Sequence, residues 1–245
     1  MKVSIVIPCF NEEKWIEKTV AAALAQDYPD FEIVLVNNAS TDRTLDVLLK
    51  LKKEHPGKIK VTDEPRPGVL MAREAGRVAA SGQIIAQLDA DCLAPKNWIL
   101  HAMKYFSSPS IVAVAGSYDY YDGSLLHRYG MLAVQVLFMA PANFLVQKFK
   151  KRAAFVGGNI FIRANILKKA GGYNKVSTFY GDEIDTSSRI VPFGKIVFVP
   201  LLTVKTSARR YQSLGFWNTQ KKYDKSSWSA IEEKIIRQEE KNHPR

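Results

Sequence analysis

A chain of 245 residues can bury one large core, or one core with an appended subdomain, and its 47 % hydrophobic content excludes a disordered chain. A net charge of +11 favours an anionic partner: a nucleotide, a phosphorylated acceptor, an anionic lipid surface or nucleic acid. Only Cys9 and Cys92 are present, without metal-type spacing or a secretory leader, so two unrelated thiols in a reducing, cytoplasmic setting are expected.

Strands and helices alternate up to Asp91. Lys2–Ile7 is a strand by its β-branched content, stopped by Pro8. Asn11 is placed to N-cap a helix with Glu12 and Glu13 in its first turn and an apolar face of Trp15, Ile16, Val20 and Leu24. Phe31–Val36 is a second strand, and the polar loop Asn37-Asn38-Ala39-Ser40-Thr41-Asp42 opens a helix running through about Leu51. Ile59–Thr62 is a short third strand. After the turn Arg66-Pro67-Gly68, an Ala-rich helix over Val69–Ala80 carries Arg73 and Arg77, and Ser81-Gly82 ends it. A fourth strand begins at Ile84. This alternation predicts an α/β fold, a mostly parallel sheet covered by helices on both faces. Its strand ends, each polar or charged, converge on one edge. The absence of Gly-x-Gly-x-x-Gly and Walker patterns weighs against dinucleotide and P-loop sites.

The fourth strand, Ile84-Ile85-Ala86-Gln87-Leu88, runs into Asp89-Ala90-Asp91-Cys92 and then Pro95. Side chains two apart share one side of a pleat, so Asp89 and Asp91 face together at the carboxyl end of a parallel strand, where open α/β sheets bind ligands. Close like charges call for a compensating cation, and hard oxygen ligands suit Mg2+ or Mn2+. On spacing alone, caps for the next helix are the favoured explanation of the pair, and it is the rest of the chain that turns the reading to a ligand site.

Ile111–Gly116 is a further strand. Gly130–Gln147 contains no charged residue and is followed by Lys148, Lys150, Lys151 and Arg152. Such an apolar stretch with a cationic flank suits a membrane interface or a buried helix with a solvated end, while Gln135, Pro141 and Asn143 weigh against a bilayer span. Phe155–Arg163 is a turn leading into a strand and Ala164–Ala170 a short helix. Asp182, Glu183 and Asp185 open a helix carrying Arg189, which a helix dipole alone would favour. Ile196–Val199 and Thr203–Thr206 are two strands, followed by the basic patch Arg209-Arg210-Tyr211. Residues 1–110, 111–225 and an amphipathic tail over 226–245 divide one compact domain.

In order, Val3–Glu13, Asn37–Asp42, Arg66-Pro67-Gly68 with Ala72-Arg73, Leu88–Asp91, Gly157-Gly158-Asn159 and Gly181–Asp185 resemble the motifs of the family-2 glycosyltransferases, which have the GT-A nucleotide-sugar-binding fold. The resemblance covers about Val3 to Arg189. It implies a nucleotide-sugar-binding half over 1–110 and an acceptor half carrying the catalytic base over 111–225. Asp91 would bind a divalent cation, Mg2+ or Mn2+, against the donor diphosphate, with Asp89 facing the ribose or base and Ala90 also in the nucleotide-sugar site. Pro8, Phe10, Glu12, Asn38, Arg66 and Arg73 would line the donor pocket, and Gly158, Asn159 and Asp185 the sugar or acceptor side. Glu183, or Asp182 one residue before it, would be the general base.

By the same resemblance the reaction is a single, inverting transfer from a UDP- or GDP-linked donor to a sugar, polyol or lipid-linked acceptor. Asn37-Asn38 stands where relatives often carry an acidic residue, which leaves the nucleobase open. The processive members' Gln-x-x-Arg-Trp pattern is missing. Rival readings are a silent sugar-nucleotide-binding scaffold, a nucleotidyltransferase and a nucleic-acid-binding protein. The first is opposed by the retained carboxylates. The second lacks its Gly-rich basic signature, and the third its aromatic-interleaved basic platform.

Overall fold

A computed structural model describes residues 1–139, 157–173 and 182–214. The expected alternation forms as β1 (Val3–Cys9), α1 (Ile16–Leu24), β2 (Phe31–Asn37), α2 (Thr44–Glu54), β3 (Ile59–Asp63), α3 (Val69–Ala79), β4 (Ile84–Leu88) and α4 (Trp98–Met103). Then come β5 (Ile111–Tyr120), α5 (Leu125–Val134), β6 (Asn159–Arg163), α6 (Ala164–Lys169), α7 (Asp182–Ile190), β7 (Lys195–Thr206) and α8 (Arg209–Leu214). The strands make one sheet in the order β3-β2-β1-β4-β6-β5-β7. Pairings β1–β2, β1–β4, β2–β3 and β5–β7 are parallel, while β6 runs antiparallel to both β4 and β5.

Helices cover both faces, so the central strands are apolar on both sides. Ile5, Ile7, Leu35, Leu88, Trp98 and Phe161 belong to one core cluster. Val6, Val34, Ile85, Ile160 and Leu167 belong to the other. This is the burial pattern that continuous Val/Ile runs in parallel strands require. Gly76 of α3 lets that helix lie against the sheet: a Cβ there would come within 2.3 Å of Val6 Cγ1.

Four local expectations change. β1 continues through Pro8 to Cys9, because its pairing with β4 ends at Val6 and only the β2 side remains paired at Pro8. Asn11 does not cap α1. It adopts φ 56°, a conformation Asn tolerates, and its side-chain oxygen accepts the Thr41 amide at 2.8 Å. β5 runs on to Tyr120 instead of stopping at Gly116.

The two predicted last strands are one, β7, which passes over Pro200 through an irregularity opposite Gly116–Tyr118. That bulge is tied down by its own polar groups: the Ser117 hydroxyl donates to the Pro200 carbonyl at 2.7 Å, and Asn159 Nδ2 donates to the Ser117 and Leu202 carbonyls at 2.8 Å each. The tail over 226–245 and the second part of the uncharged stretch, 140–147, lie outside the described residues, as does Gly181. Among the described residues no helix is long and apolar enough to cross a membrane.

Candidate active site

The topology decides what meets at the carboxyl edge of the sheet. β1, β2, β4, β5 and β7 all exit there, whereas the reversed strand β6 enters there. The edge therefore collects the loop after Cys9, the polar loop after Asn37, the turn after Leu88, the end of β5, Arg209 beyond β7, and Gly157-Gly158 ahead of β6.

The first two loops lock together. The Asn38 amide nitrogen donates to the Cys9 carbonyl at 2.8 Å, the Glu12 amide to Thr44 Oγ1 at 2.7 Å, and the Arg43 amide to Glu13 Oε2 at 3.0 Å. Phe10 is left exposed at the lip. The Asn38 side chain is spent on the neighbouring loop: Nδ2 donates to the carbonyls of Glu64 (2.9 Å) and Arg66 (2.7 Å), and Oδ1 accepts from the Gly68 amide (2.9 Å). Asn38 therefore shapes the loop over Glu64–Gly68 from beneath. The exposed Arg66 side chain forms a two-point pair with Glu64.

Asp89 and Asp91 do not share a pleat, since β4 ends at Leu88 and both lie in the turn that follows. Neither caps the next helix, which starts at Trp98 behind Asn97. They meet different cations. Asp89 accepts from buried Arg73 NH2 at 3.4 Å and from the Tyr118 hydroxyl at 3.0 Å. Asp91 Oδ2 pairs with Arg209 Nε at 3.0 Å, and Arg209 NH2 also bonds Glu12. The turn is held in place at both ends: Thr19 Oγ1 donates to the Ala90 carbonyl at 2.7 Å, and Leu93 bridges to Lys205 of β7. Burial of the Tyr118 phenol, and then the Asp89 charge beside it, push its pKa well up, so it stays a donor to Asp89. Burial also raises the Glu12 carboxyl above its ordinary value, against the opposing pull of Arg209.

Gly157 and Gly158 admit these groups because they lack side chains. A Cβ on Gly158 would lie 2.1 Å from Asp89 Oδ2 and 2.2 Å from the Tyr118 hydroxyl. One on Gly157 would lie 2.5 Å from Glu183 Oε1 and 3.1 Å from Arg73 NH2. Glu183, from the first turn of α7, and Arg73, from α3, thus flank the same glycine. Asp185 instead bonds Arg189 at 2.8 Å, which anchors α7 to the carbonyls of Ala170 and Gly172. Asn159 lies fully buried beneath the site, with Oδ1 accepting from Trp98 Nε1 at 2.9 Å and both amide hydrogens used in the bulge.

Arg209 and Tyr118 are the site groups that sequence reasoning leaves without a role. The signal for both is topological: each lies at the exit of a strand parallel to β4.

The carboxylates fit a hard divalent cation. Such ions are held by one or two protein carboxylates, with substrate phosphates completing the shell, and Glu12 Oε2 is buried with no hydrogen-bond partner among the described residues. No group of three or more His, Cys, Asp or Glu side chains converges as a cage among those residues. Both cysteines are buried free thiols held protonated by burial, which removes them as ligands.

A parallel-led α/β sheet with paired carboxylates and arginines at its carboxyl edge defines the GT-A class of nucleotide-sugar-binding folds. The chain is similar to the mannosyltransferase PcManGT from Pyrobaculum calidifontis, solved in complex with GDP-Man and Mn2+, with TM-score 0.68 and 22 % identity over 84 % of this chain and 57 % of that one. It is also similar to Staphylococcus aureus TarS 1-349 in complex with UDP-GlcNAc, with TM-score 0.61 and 16 % identity over 84 % of this chain and 58 % of that one. An uncharacterized glycosyltransferase of Nostoc is 33 % identical over 124 residues, 51 % of this chain and 38 % of that protein. The Glycosyl transferase family 2 model matches residues 4–171, and the chain belongs to that family. It spans less than two thirds of the length of these relatives.

Proposed function

We propose that the chain transfers one sugar, with inversion, from a UDP- or GDP-linked donor to an acceptor hydroxyl or lipid phosphate, using Mg2+ or Mn2+. The observation that carries this reading is the meeting of Asp89, Arg73 and Glu183 around the side-chain-free Gly157-Gly158 step, with Asp91 two residues beyond Asp89 in the turn after β4. Arg73 and Tyr118 orient Asp89 toward the ribose or base. Asp91 holds the divalent cation, which when bound acts as a Lewis acid on the leaving diphosphate. Glu183 takes the proton of the acceptor hydroxyl as it attacks the anomeric carbon from the side opposite the diphosphate. That single displacement inverts the centre.

The deciding measurement is calorimetric titration of UDP and GDP, each with and without Mn2+. One nucleotide binds in a Mn2+-dependent way, and Asp91→Ala abolishes the Mn2+-dependent part. Failure of both nucleotides to bind overturns the transferase reading in favour of a silent scaffold.

The finer proposal places this reaction in the cytoplasm at the inner face of a membrane, with a lipid-linked acceptor. Its support is α5, which turns Leu125, Leu126 and Tyr129 to solvent, together with the basic run Lys148–Arg152 further along.

A further inference from the structure

The two aspartates after β4 have separate counter-cations, and the one at Asp91 comes from the far end of the described chain. Arg209 opens α8 directly beyond β7, and its guanidinium reaches Glu12 with NH2 and Asp91 Oδ2 with Nε at 3.0 Å. Its position is set by several elements. Asp122, in the turn before α5, accepts from the Ala208 amide at 2.5 Å and the Ser207 hydroxyl at 2.6 Å, and its carbonyl accepts from Gln212 at 3.0 Å. The guanidinium carbon lies 5.8 Å from the centroid of the Trp15 ring. A planar fork with several donors is the chemistry that bridges two carboxylates from different loops.

A guanidinium bonded to Asp91 Oδ2 and a divalent cation on the same carboxylate repel each other and compete for its charge. We infer that Arg209 is the resting counter-cation of the donor site. It holds Asp91 and Glu12 when no donor is bound, yields Asp91 to the divalent cation, and sets how tightly that cation binds. This rests on the donor-site reading above. Once displaced, the guanidinium lies beside the incoming diphosphate and gains a two-point anionic partner, so cation and nucleotide each ease the other's entry. Arg209 is in this sense a positioning residue that couples the two ligands.

The test is Mn2+ binding, read from loss of the free-ion electron paramagnetic resonance signal, with Mn2+ alone and with Mn2+ plus UDP or GDP. In Arg209→Gln, Mn2+ alone binds at least about fivefold more tightly than in the unmodified protein, and the gain added by nucleotide shrinks. Arg209→Lys, whose ammonium meets one carboxylate at a time, falls between the two and serves if the glutamine variant does not fold. Suppose Mn2+ alone binds no more tightly in the folded variants, while nucleotide-dependent Mn2+ binding persists in the unmodified protein. That result overturns the role of Arg209 and leaves the donor site standing. Absence of Mn2+ binding with either nucleotide in the unmodified protein overturns the donor-site reading, and this inference with it.

Discussion

Glu183 and Asp182 are neighbouring carboxylates in the sequence at the start of α7, and the resemblance leaves the base open between them. Glu183 Oε1 packs over Gly157, beside the Arg73 guanidinium that also bonds Asp89. This favours Glu183 as the base, because it stands within the same cluster as the donor-side carboxylate. Glu183→Gln should lower turnover by about 10²–10⁴-fold, the usual worth of a general base, while nucleotide titrations stay unchanged. If Asp182→Asn shows that pattern and Glu183→Gln does not, the register is one residue off. The position of Asp89 and Asp91 at the sheet's carboxyl edge was legible from the sequence because they follow an apolar strand. The roles of Asn38 and Asn159 were not, because a polar residue in a motif reads the same whether it faces a ligand or satisfies buried carbonyls. Here both amides are used internally.

Helix α5 shows how one element answers two demands. Its inner side is held by polar groups: Arg128 forms a two-point pair with Asp119, and Gln135, just past the helix, donates to the Tyr118 carbonyl at 3.0 Å and accepts from the Tyr118 amide at 2.7 Å. That pairing imitates a strand neighbour at the end of β5 and explains why a polar residue stands in an uncharged stretch. The outer side is apolar, with Leu126 85 % exposed, and Leu137 in the turn beyond the helix is 65 % exposed. Such a face, with a basic run later in the sequence, suits an anionic bilayer surface. Flotation with anionic vesicles at low salt should carry the protein up. Leu126→Glu should weaken that partition by at least about tenfold, since a buried leucine contributes about 1.5–3 kcal/mol. A protein that stays at the bottom of the gradient removes the membrane-proximal reading and leaves the transfer chemistry untouched.

At the scale of the whole molecule, stability and function occupy opposite ends of the sheet. The amino ends of β1 and β2, with the turn entering β4, converge on the buried carboxylate of Glu32, and Lys60 of β3 reaches it as well. Glu32 accepts from Ser4 Oγ (2.7 Å), the Ser81 amide (2.7 Å) and Lys2 Nζ (3.0 Å), and pairs with Lys60 at 3.0 Å. Burial alone would raise its pKa, but these donors outweigh it and hold the carboxyl well below the usual carboxylate range. A depressed folded-state value stabilises the fold above the unfolded value of about 4.3, and that contribution is lost as pH falls below it. Urea midpoints measured across pH should therefore fall on the acid side in the unmodified protein. In Glu32→Gln the same curve should be flatter, with stability near neutrality lower by about 2–3 kcal/mol. Nucleotide binding at the opposite edge should be unaffected. A glutamine variant with an unchanged acid limb would remove Glu32 from this role.

The sequence by itself determined the order of strands and helices up to β4, the doubly covered sheet and the carboxylates at its edge. Each of these depends on local periodicity, on β-branched runs and on motifs only a few residues long. Only the tertiary structure decided the reversed strand β6, the single bulged β7 in place of two strands, and the two arginine clusters of the site. Arg209 stands 197 residues from Glu12, and no spacing rule joins them. What joins them is parallel pairing, which delivers the ends of β1, β4 and β7 to one edge and leaves their unmatched charges to find one another.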